Sequence, residues 1–561
     1  MTVFSFFQMQ KWSDIRWVAT LVLITLIMIL PGFFALPPVD RDETRFAQST
    51  RQMVASNEYI DIPFQDGKRY KKPIGIYWLQ AASVKAVGVL TGATENAPIW
   101  VYRLPSLFGI VASVLATFWL ARAFLTPYGA GIAGLMLAVS VLPGYEARIA
   151  KTDAFLLFVV LLAQAVLARG WMGGDAPLSR GMRLVFWLAL AAGVLIKGPI
   201  VLLVTGLTLA LLLIVDRSFA LIRQLKPLSG VLILLVVTLP WFIAIGFRSD
   251  GAFFAEAGLR DFLGKVVAVK ESHGGPPGIY AALMTLTFWP ASVFFIAAVP
   301  FILRNWNARP VLFALVWAVP SWLIFELTPT KLPHYVLPLY PALALGVGFA
   351  FQNVWTVRHL WQKIVLSLLF VLPGLLGTVA LSGLIYLEGS FAPFVLVSAI
   401  GAVAAGYFAW RGFVAGTREP GRAVMLMALS AGLIYLATYQ FAFPALRSLW
   451  VSNGLVAMLE KHPPVNGCPA PSVISLGYTE PSLAFLGPLD LRFETPDSAA
   501  AKLSEAPCRL IFLSDPAAPL LKERLQGAKI DLLPLETLNG MTLNGGKKVT
   551  IGLYAVREAG S

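Results

Sequence analysis

Apolar residues along this chain run in blocks of about 20, the length an α-helix needs to cross a hydrocarbon core of about 30 Å. Such blocks occupy residues 17–36, 102–122, 127–147, 153–170, 183–196, 199–215, 228–247, 279–303, 310–327, 333–353, 364–388, 391–410 and 423–441, which predicts about 13 transmembrane helices. A further run, 74–90, is short and carries Lys85 at its middle. A charge there costs about 2.5–3.5 kcal/mol at a bilayer centre, so the run is assigned to the interface. After about Ser448 the pattern changes: PSVISLGY, RLIFLSD and VTIGLYAV are strand-like, and they alternate with helix-like stretches such as SAAAKLSEA. The expected architecture is an all-α polytopic membrane domain over 1–447, followed by a small α/β domain over 448–561. About 110 residues suffice for the second domain to build its own core.

Basic residues orient the bundle. Alternate short loops hold Lys11 and Arg16; Arg122; Arg169, Arg180 and Arg183; Arg217, Arg223 and Lys226; Arg304 and Arg309; Arg358 and Lys363; Arg411, Arg418 and Arg422. The positive-inside rule makes these loops cytoplasmic, and counting 74–90 as a span would break the alternation. An odd span number then puts the N-terminus inside and the C-terminal domain outside. The opposite face receives residues 37–101, the Asp153 and Lys197 turns, the loop 248–278, the turn 328–334 and the C-terminal domain.

Composition agrees with the pattern. With 57% hydrophobic and 13% charged residues, and a mean hydropathy of +0.73, the chain is not a string of soluble domains. Its 44 basic against 30 acidic residues give a net charge of +14. In a membrane chain such an excess serves topology and anionic lipid rather than nucleic acid. Cys468 and Cys508 are the two cysteines, too few for a disulfide scaffold or a cysteine metal cluster. Outside the membrane they either pair or sit as buried thiols.

The first outer loop carries the densest chemistry. Asp40, Asp42 and Glu43 precede a stripe of Phe46, Ala47, Thr50, Met53 and Val54, with Arg45, Gln48, Arg51 and Gln52 opposite, which predicts an amphipathic helix on the membrane surface. Asp40 and Glu43 have capping-box spacing, but a cap uses one acid, and three clustered carboxylates need a shared cation or proton. Four cations follow, Lys68, Arg69, Lys71 and Lys72; these either snorkel to lipid phosphates or hold a phosphate leaving group beside the acids. Arg148, Lys151 and Asp153 lie at one junction between spans, Lys197 at a second, and Lys331, His334 and Tyr335 at a third. Converging basic groups on one face suit a phosphate site. Glu271 and His273 precede Gly-Gly-Pro-Pro-Gly, a loop with a potential metal or phosphate ligand.

RDETRFAQSTRQMVASNEY, RYKKPIGIYWLQ, ARIAKTDAF, LIKGP and KLPHYVLPLYP together resemble the integral-membrane glycosyltransferases of the GT-C class, in particular the aminoarabinose (lipid A) transferase and protein O-mannosyltransferase-like group. The resemblance runs from Pro37 to about Phe351. It implies inverting transfer of a sugar from a polyprenyl phosphate to an envelope acceptor at the periplasmic face of the bacterial inner membrane, lipid A or lipopolysaccharide before protein. It further implies catalytic acids at Asp42, Glu43 and Asp153, and donor-phosphate contacts from Lys72, Lys197, Lys331, Tyr335 and Arg69. A divalent metal ion is the candidate cofactor, with His273 and Asp42 as candidate ligands. Lipid A transferases commonly carry a Glu before the phosphate lysine as partner to a metal-site histidine. Here that position is Lys71, which leaves His273 without its expected partner.

The residues support a lipid-linked donor independently. No inner loop is long enough for a nucleotide-binding domain, and no GxGxxG follows a strand. The competing class is a lipid or glycan transporter, which would place its polar groups near the midplane of repeated halves. Here they collect at one face and no repeat is visible.

Overall fold

The computed structural model describes residues 9–92, 94, 96–258, 274–353, 407, 420–526 and 530–558. Six described helices are long and apolar enough to cross a membrane: Ile99–Ala121, Asp153–Gly173, Pro227–Arg248, Arg309–Leu327, Pro333–Gln352 and Val424–Ala445. The pair Pro127–Ala138 and Val141–Ala147 makes a seventh if its 61° bend lies within one span. The expected spans 364–388 and 391–410 fall outside the described residues, as do Glu271 and His273. The chain is thus a mostly helical, multi-pass membrane protein with a small sheet domain.

Several apolar runs fold differently from one continuous span each. Run 279–303 divides into Ile279–Thr287 and Ala291–Arg304, because Pro290 removes a backbone donor at the junction. Run 17–36 yields the 16-residue helix Asp14–Ile29. Runs 183–196 and 199–215 become Arg180–Lys197 and Ile200–Asp216, separated by Gly198 at φ +72°, a backbone that glycine adopts without steric cost. The interfacial run 74–90 is the helix Gly75–Thr91.

Close backbone approach brings the polar junctions together. At Gly109 an added Cβ would meet the Ala154 carbonyl at 2.8 Å, so a small residue lets Ile99–Ala121 lie against the start of Asp153–Gly173. That contact holds the Asp153 turn beside the first outer loop.

The C-terminal sheet has five strands in the order Arg492–Glu494, Val473–Leu476, Leu510–Ser514, Lys548–Glu558 and Ile530–Met541. The first three pair in parallel and the last two antiparallel to their neighbours. Val473–Leu476 and Leu510–Ser514 are buried at every position, as expected where helices cover both faces of parallel strands. Cys468 and Cys508 form a disulfide, which resolves the two sequence-level alternatives.

The helix Asp42–Ser56 is not the half-exposed surface helix its amphipathic stripe suggests. Gln48, Ser49 and Arg51 on its polar side are buried as fully as Phe46 and Met53. Arg51 donates to the carbonyls of Phe485 at 2.8 Å and Gly487 at 2.9 Å and to Asn96 Oδ1 at 3.0 Å, while Tyr102 meets Phe485 edge-on with centroids 5.3 Å apart. The C-terminal domain covers Arg51, whose hydrogen bonds across that contact replace the water that sequence periodicity assumes, whereas the Gln48 and Ser49 side chains are buried with no hydrogen-bond partner among the described residues.

Candidate active site

The acids at 40–43 enter three different environments. Glu43 is sealed. Its Oε1 accepts from Arg103 Nε at 2.7 Å and the Ala150 N–H at 2.9 Å, and its Oε2 from Arg103 Nη2 at 2.9 Å and the Val39 N–H at 2.8 Å. Both side chains have no exposed surface. The remaining Arg103 donors reach the carbonyls of Phe33, Leu36 and Pro37 at 3.1, 2.9 and 3.0 Å. One carboxylate and one guanidinium therefore stitch together the end of the first helix, the acidic loop, the helix Ile99–Ala121 and the Ala150 turn. With all its lone pairs occupied, Glu43 has no acceptor capacity for a substrate, unlike the catalytic role expected for it.

Asp40 turns the other way. Its Oδ1 accepts from the Ser482 N–H at 3.1 Å, so it docks the C-terminal domain rather than capping its own helix. The helix has no side-chain N-cap. Burial, reinforced by Glu480, pushes the Asp40 carboxyl up to about 6, and the Ser482 hydrogen bonds only partly offset this.

Asp42 is left facing the open side, its side chain 57% exposed, with Arg69 Nη2 at 4.0 Å. Arg41, immediately before it, turns the chain at φ 72°, a left-handed backbone costing a non-glycine residue about 1–2 kcal/mol. Partial desolvation favours the neutral acid, but Arg69 and then Lys151 outweigh it and hold Asp42 below the ordinary carboxylate range.

The four cations after Gly67 also separate. Lys68 pairs with buried Asp61. Arg69 lies over the Phe46 ring at 4.4 Å and donates to the Tyr77 hydroxyl at 2.7 Å; it stands beside Asp42. Lys71 and Lys72 line a cavity of about 400 Å³, which Arg69 does not line.

A second cluster closes one end of that cavity. Asp153 Oδ1 accepts from Lys197 Nζ; Lys151 Nζ lies 3.7 Å from Asp153 Oδ2, 3.0 Å from Glu146 Oε1 and 3.4 Å from His334 Nδ1. Lys197 also sits 5.6 Å from the Tyr335 ring centre. Lys71, Lys72, Lys197, Thr328, His334 and Tyr335 reach the cavity wall, which is otherwise apolar, with Leu156, Leu203, Phe242, Phe253 and Phe325 prominent. Lys331 does not line the cavity; its Nζ donates to the Thr328 carbonyl at 3.0 Å.

Sequence reasoning missed Glu146 and Arg103. Both are charges within apolar stretches, GYEARIA and VYRLPS, and that cost was the available signal.

Among the described residues no group of three or more His, Cys, Asp or Glu stands where it could hold a metal ion. Asp42 has cations for neighbours, Glu43 is saturated and Asp40 is turned away, so the acids at 40–43 do not make a divalent-cation site by themselves; His273, the other candidate ligand, lies outside the described residues.

The sequence profile of the dolichyl-phosphate-mannose-protein mannosyltransferase family matches residues 71–243. An undecaprenyl phosphate-alpha-4-amino-4-deoxy-L-arabinose arabinosyl transferase of Pseudomonas aeruginosa (strain LESB58) is 30% identical over 413 residues, covering 69% of this chain and 71% of the relative. The enzyme of the same description from Edwardsiella ictaluri (strain 93-146) is 28% identical over 337 residues, and the match spans 58% of this chain and 57% of that protein, less than two thirds of its length. In fold, the chain is similar to the crystal structure of ArnT from Cupriavidus metallidurans, in the apo state and bound to undecaprenyl phosphate, with a TM-score of 0.72, 20% identity, and coverage of 96% of this chain and 98% of that one. That structural likeness is one of fold; the 30% identity to the Pseudomonas aeruginosa enzyme, over 71% of its length, shows that the chain belongs to the family of undecaprenyl phosphate-aminoarabinose arabinosyl transferases.

Proposed function

We propose that this protein moves 4-amino-4-deoxy-L-arabinose from undecaprenyl phosphate to a phosphate of lipid A at the periplasmic face of the inner membrane. The observation that carries this reading is the cavity of about 400 Å³. Its walls suit an isoprenoid chain, and Lys72 and Lys197 suit the phosphate that joins chain to sugar. The relatives' description names that donor, and the similar crystal structure holds undecaprenyl phosphate.

In this reading an acceptor oxygen attacks C1 of the sugar, the C1–O bond to the lipid phosphate breaks, and undecaprenyl phosphate leaves with the bonding electrons. The sugar passes through an oxocarbenium-like state with inversion. Lys72 and Lys197 stabilise the charge growing on the departing phosphate, with Tyr335 bracing Lys197 and Asp153 orienting it. An acid held below its ordinary range is a weak base, and a lipid A phosphate is already an anion. Asp42 therefore orients the acceptor and balances charge on the sugar rather than removing a proton. Glu43, Arg69 and Lys331 position groups around this centre. No step is assigned to a metal ion.

The same reading takes the chain through 13 crossings, with residues 1–447 as the transferase domain and 448–561 as an outer domain. The cytoplasmic N-terminus follows from the alternating basic loops, and the Cys468–Cys508 disulfide supports an oxidising location for the outer domain. Reporters fused after Arg183 and after Ser448 are expected on opposite sides; same-sided signals would overturn the odd count.

The direct test is mass spectrometry of lipid A and of envelope glycoproteins from a deletion strain complemented with this chain. Aminoarabinose on lipid A that depends on the chain is the expected outcome. Loss of a protein-linked sugar with unchanged lipid A would move the acceptor to protein, the reading favoured by the description of the profile over 71–243.

A further inference from the structure

At the opposite end of helix Arg180–Lys197 from Lys197, about 25 Å away at 1.5 Å per residue, lies a polar basin unconnected with sugar transfer. It has a volume of about 350 Å³ and is lined by Arg183, Arg223 and Lys226 against a single acid, Asp175. None of the three cations has an acidic partner among the described residues. Arg183 is steadied by donating to the Leu178 carbonyl at 2.5 Å.

An apolar groove of about 280 Å³ adjoins the basin, lined by Phe186, Trp187, Leu190, Leu209, Ile222 and Leu225 among others. The short helix Ala220–Leu225 separates the two: Arg223 and Gln224 face the basin, Ile222 and Leu225 the groove. That helix is pinned on both sides, since Gln224 Nε2 donates to the Gly174 carbonyl and Trp187 Nε1 donates to the Leu225 carbonyl at 2.9 Å. The groove extends inward as far as Leu202, which also stands in the wall of the donor cavity.

A cationic basin and an apolar groove on the two sides of the helix Ala220–Leu225 match an amphiphile with an anionic head and a hydrocarbon tail that lies across that helix. We propose that this is a binding site for an anionic phospholipid, its phosphate among Arg183, Arg223 and Lys226 and one acyl chain in the groove. The charge balance, three cations to one acid, selects an anionic over a zwitterionic head group, and the groove selects a lipid over free phosphate.

Native mass spectrometry of the full-length protein, titrated with phosphatidylglycerol, phosphatidylethanolamine or inorganic phosphate, tests this. The expected result is retention of phosphatidylglycerol at least tenfold tighter than phosphatidylethanolamine, and no displacement by millimolar phosphate. The double variant Arg223→Gln, Lys226→Gln is expected to lose that preference. The charge-preserving pair Arg223→Lys, Lys226→Arg is expected to keep it, which separates charge from folding. Leu209→Trp, filling the groove, is expected to weaken retention with the basin intact. Equal retention of both lipids by wild type, an unchanged preference in the charge-removing variant, or displacement by phosphate would each overturn the proposal.

Discussion

Lys197 and Asp153, 44 residues apart in the chain, form a buried hydrogen-bonded ion pair across the cavity end of two neighbouring helices. The acid begins helix Asp153–Gly173 and the lysine ends helix Arg180–Lys197, so each charge also complements the dipole of its own helix. Such a pair holds a cation in place before any phosphate arrives. Asp153→Asn is expected to lower transfer at least tenfold while raising the donor KM, because Lys197 loses its anchor and Lys151 one of its two counter-charges, keeping Glu146. Steady-state kinetics on purified variant checks this, and an unchanged KM would detach the pair from donor handling.

Asp42 and Glu43 are adjacent in sequence and should respond oppositely to amide substitution. Asp42→Asn removes a largely exposed charge at a helix start, worth under about 1 kcal/mol to folding, yet is expected to slow transfer about a hundredfold. Since its carboxyl sits below the ordinary range, wild-type activity should show no inflection from Asp42 near neutral pH. Near wild-type transfer by the variant would move the central acid elsewhere, with Asp153 next in line.

Glu43→Gln leaves Arg103 buried without its counter-charge, a loss of about 3–5 kcal/mol. Expression and thermal stability are therefore expected to fall first, and donor turnover per folded molecule to change less. Thermal melts alongside activity normalised to folded protein separate the two effects. A stable but inactive Glu43→Gln protein would restore Glu43 to the chemistry.

Asp40 makes docking of the outer domain sensitive to pH. Its folded pKa of about 6 lies above the ordinary 3.8, so between those values the folded state binds more protons than the unfolded state. Stability from this group is full below about pH 4 and is lost as pH rises through 6. Asp40→Asn is expected to flatten the stability difference between pH 5 and pH 7 and to raise the melting midpoint at pH 7. An unaltered pH profile would mean that the Ser482 contact does not govern docking.

The disulfide closes a loop between positions 40 residues apart. In the chain-entropy account a loop of that size contributes about 3–4 kcal/mol. Cys468→Ser with Cys508→Ser is expected to leave the membrane helices intact and to make the sheet domain protease-sensitive, which limited proteolysis followed by intact-mass analysis would reveal. Equal protease resistance in both forms would show that the sheet core alone sustains the domain.

Hydrophobic blocks and the charge of short loops depend on local composition, so the sequence by itself determined a multi-pass membrane protein with its acids and lysines gathered at one face. Strand-like runs at PSVISLGY, RLIFLSD and VTIGLYAV likewise marked the sheet domain, since burial on both faces writes itself into consecutive residues. Tertiary structure decided what each charge does. Three carboxylates within four residues became a domain clasp at Asp40, an open acid at Asp42 and a sealed strut at Glu43. Four cations within five residues divided between Asp61, Asp42 and the cavity wall. The partner of Asp40, Ser482, lies 442 residues away, and those of Glu43, Arg103 and Ala150, lie 60 and 107 residues away. Spacing along a chain carries no information about contacts at that separation, because they depend on how helices pack against one another, and packing is a property of the assembled core.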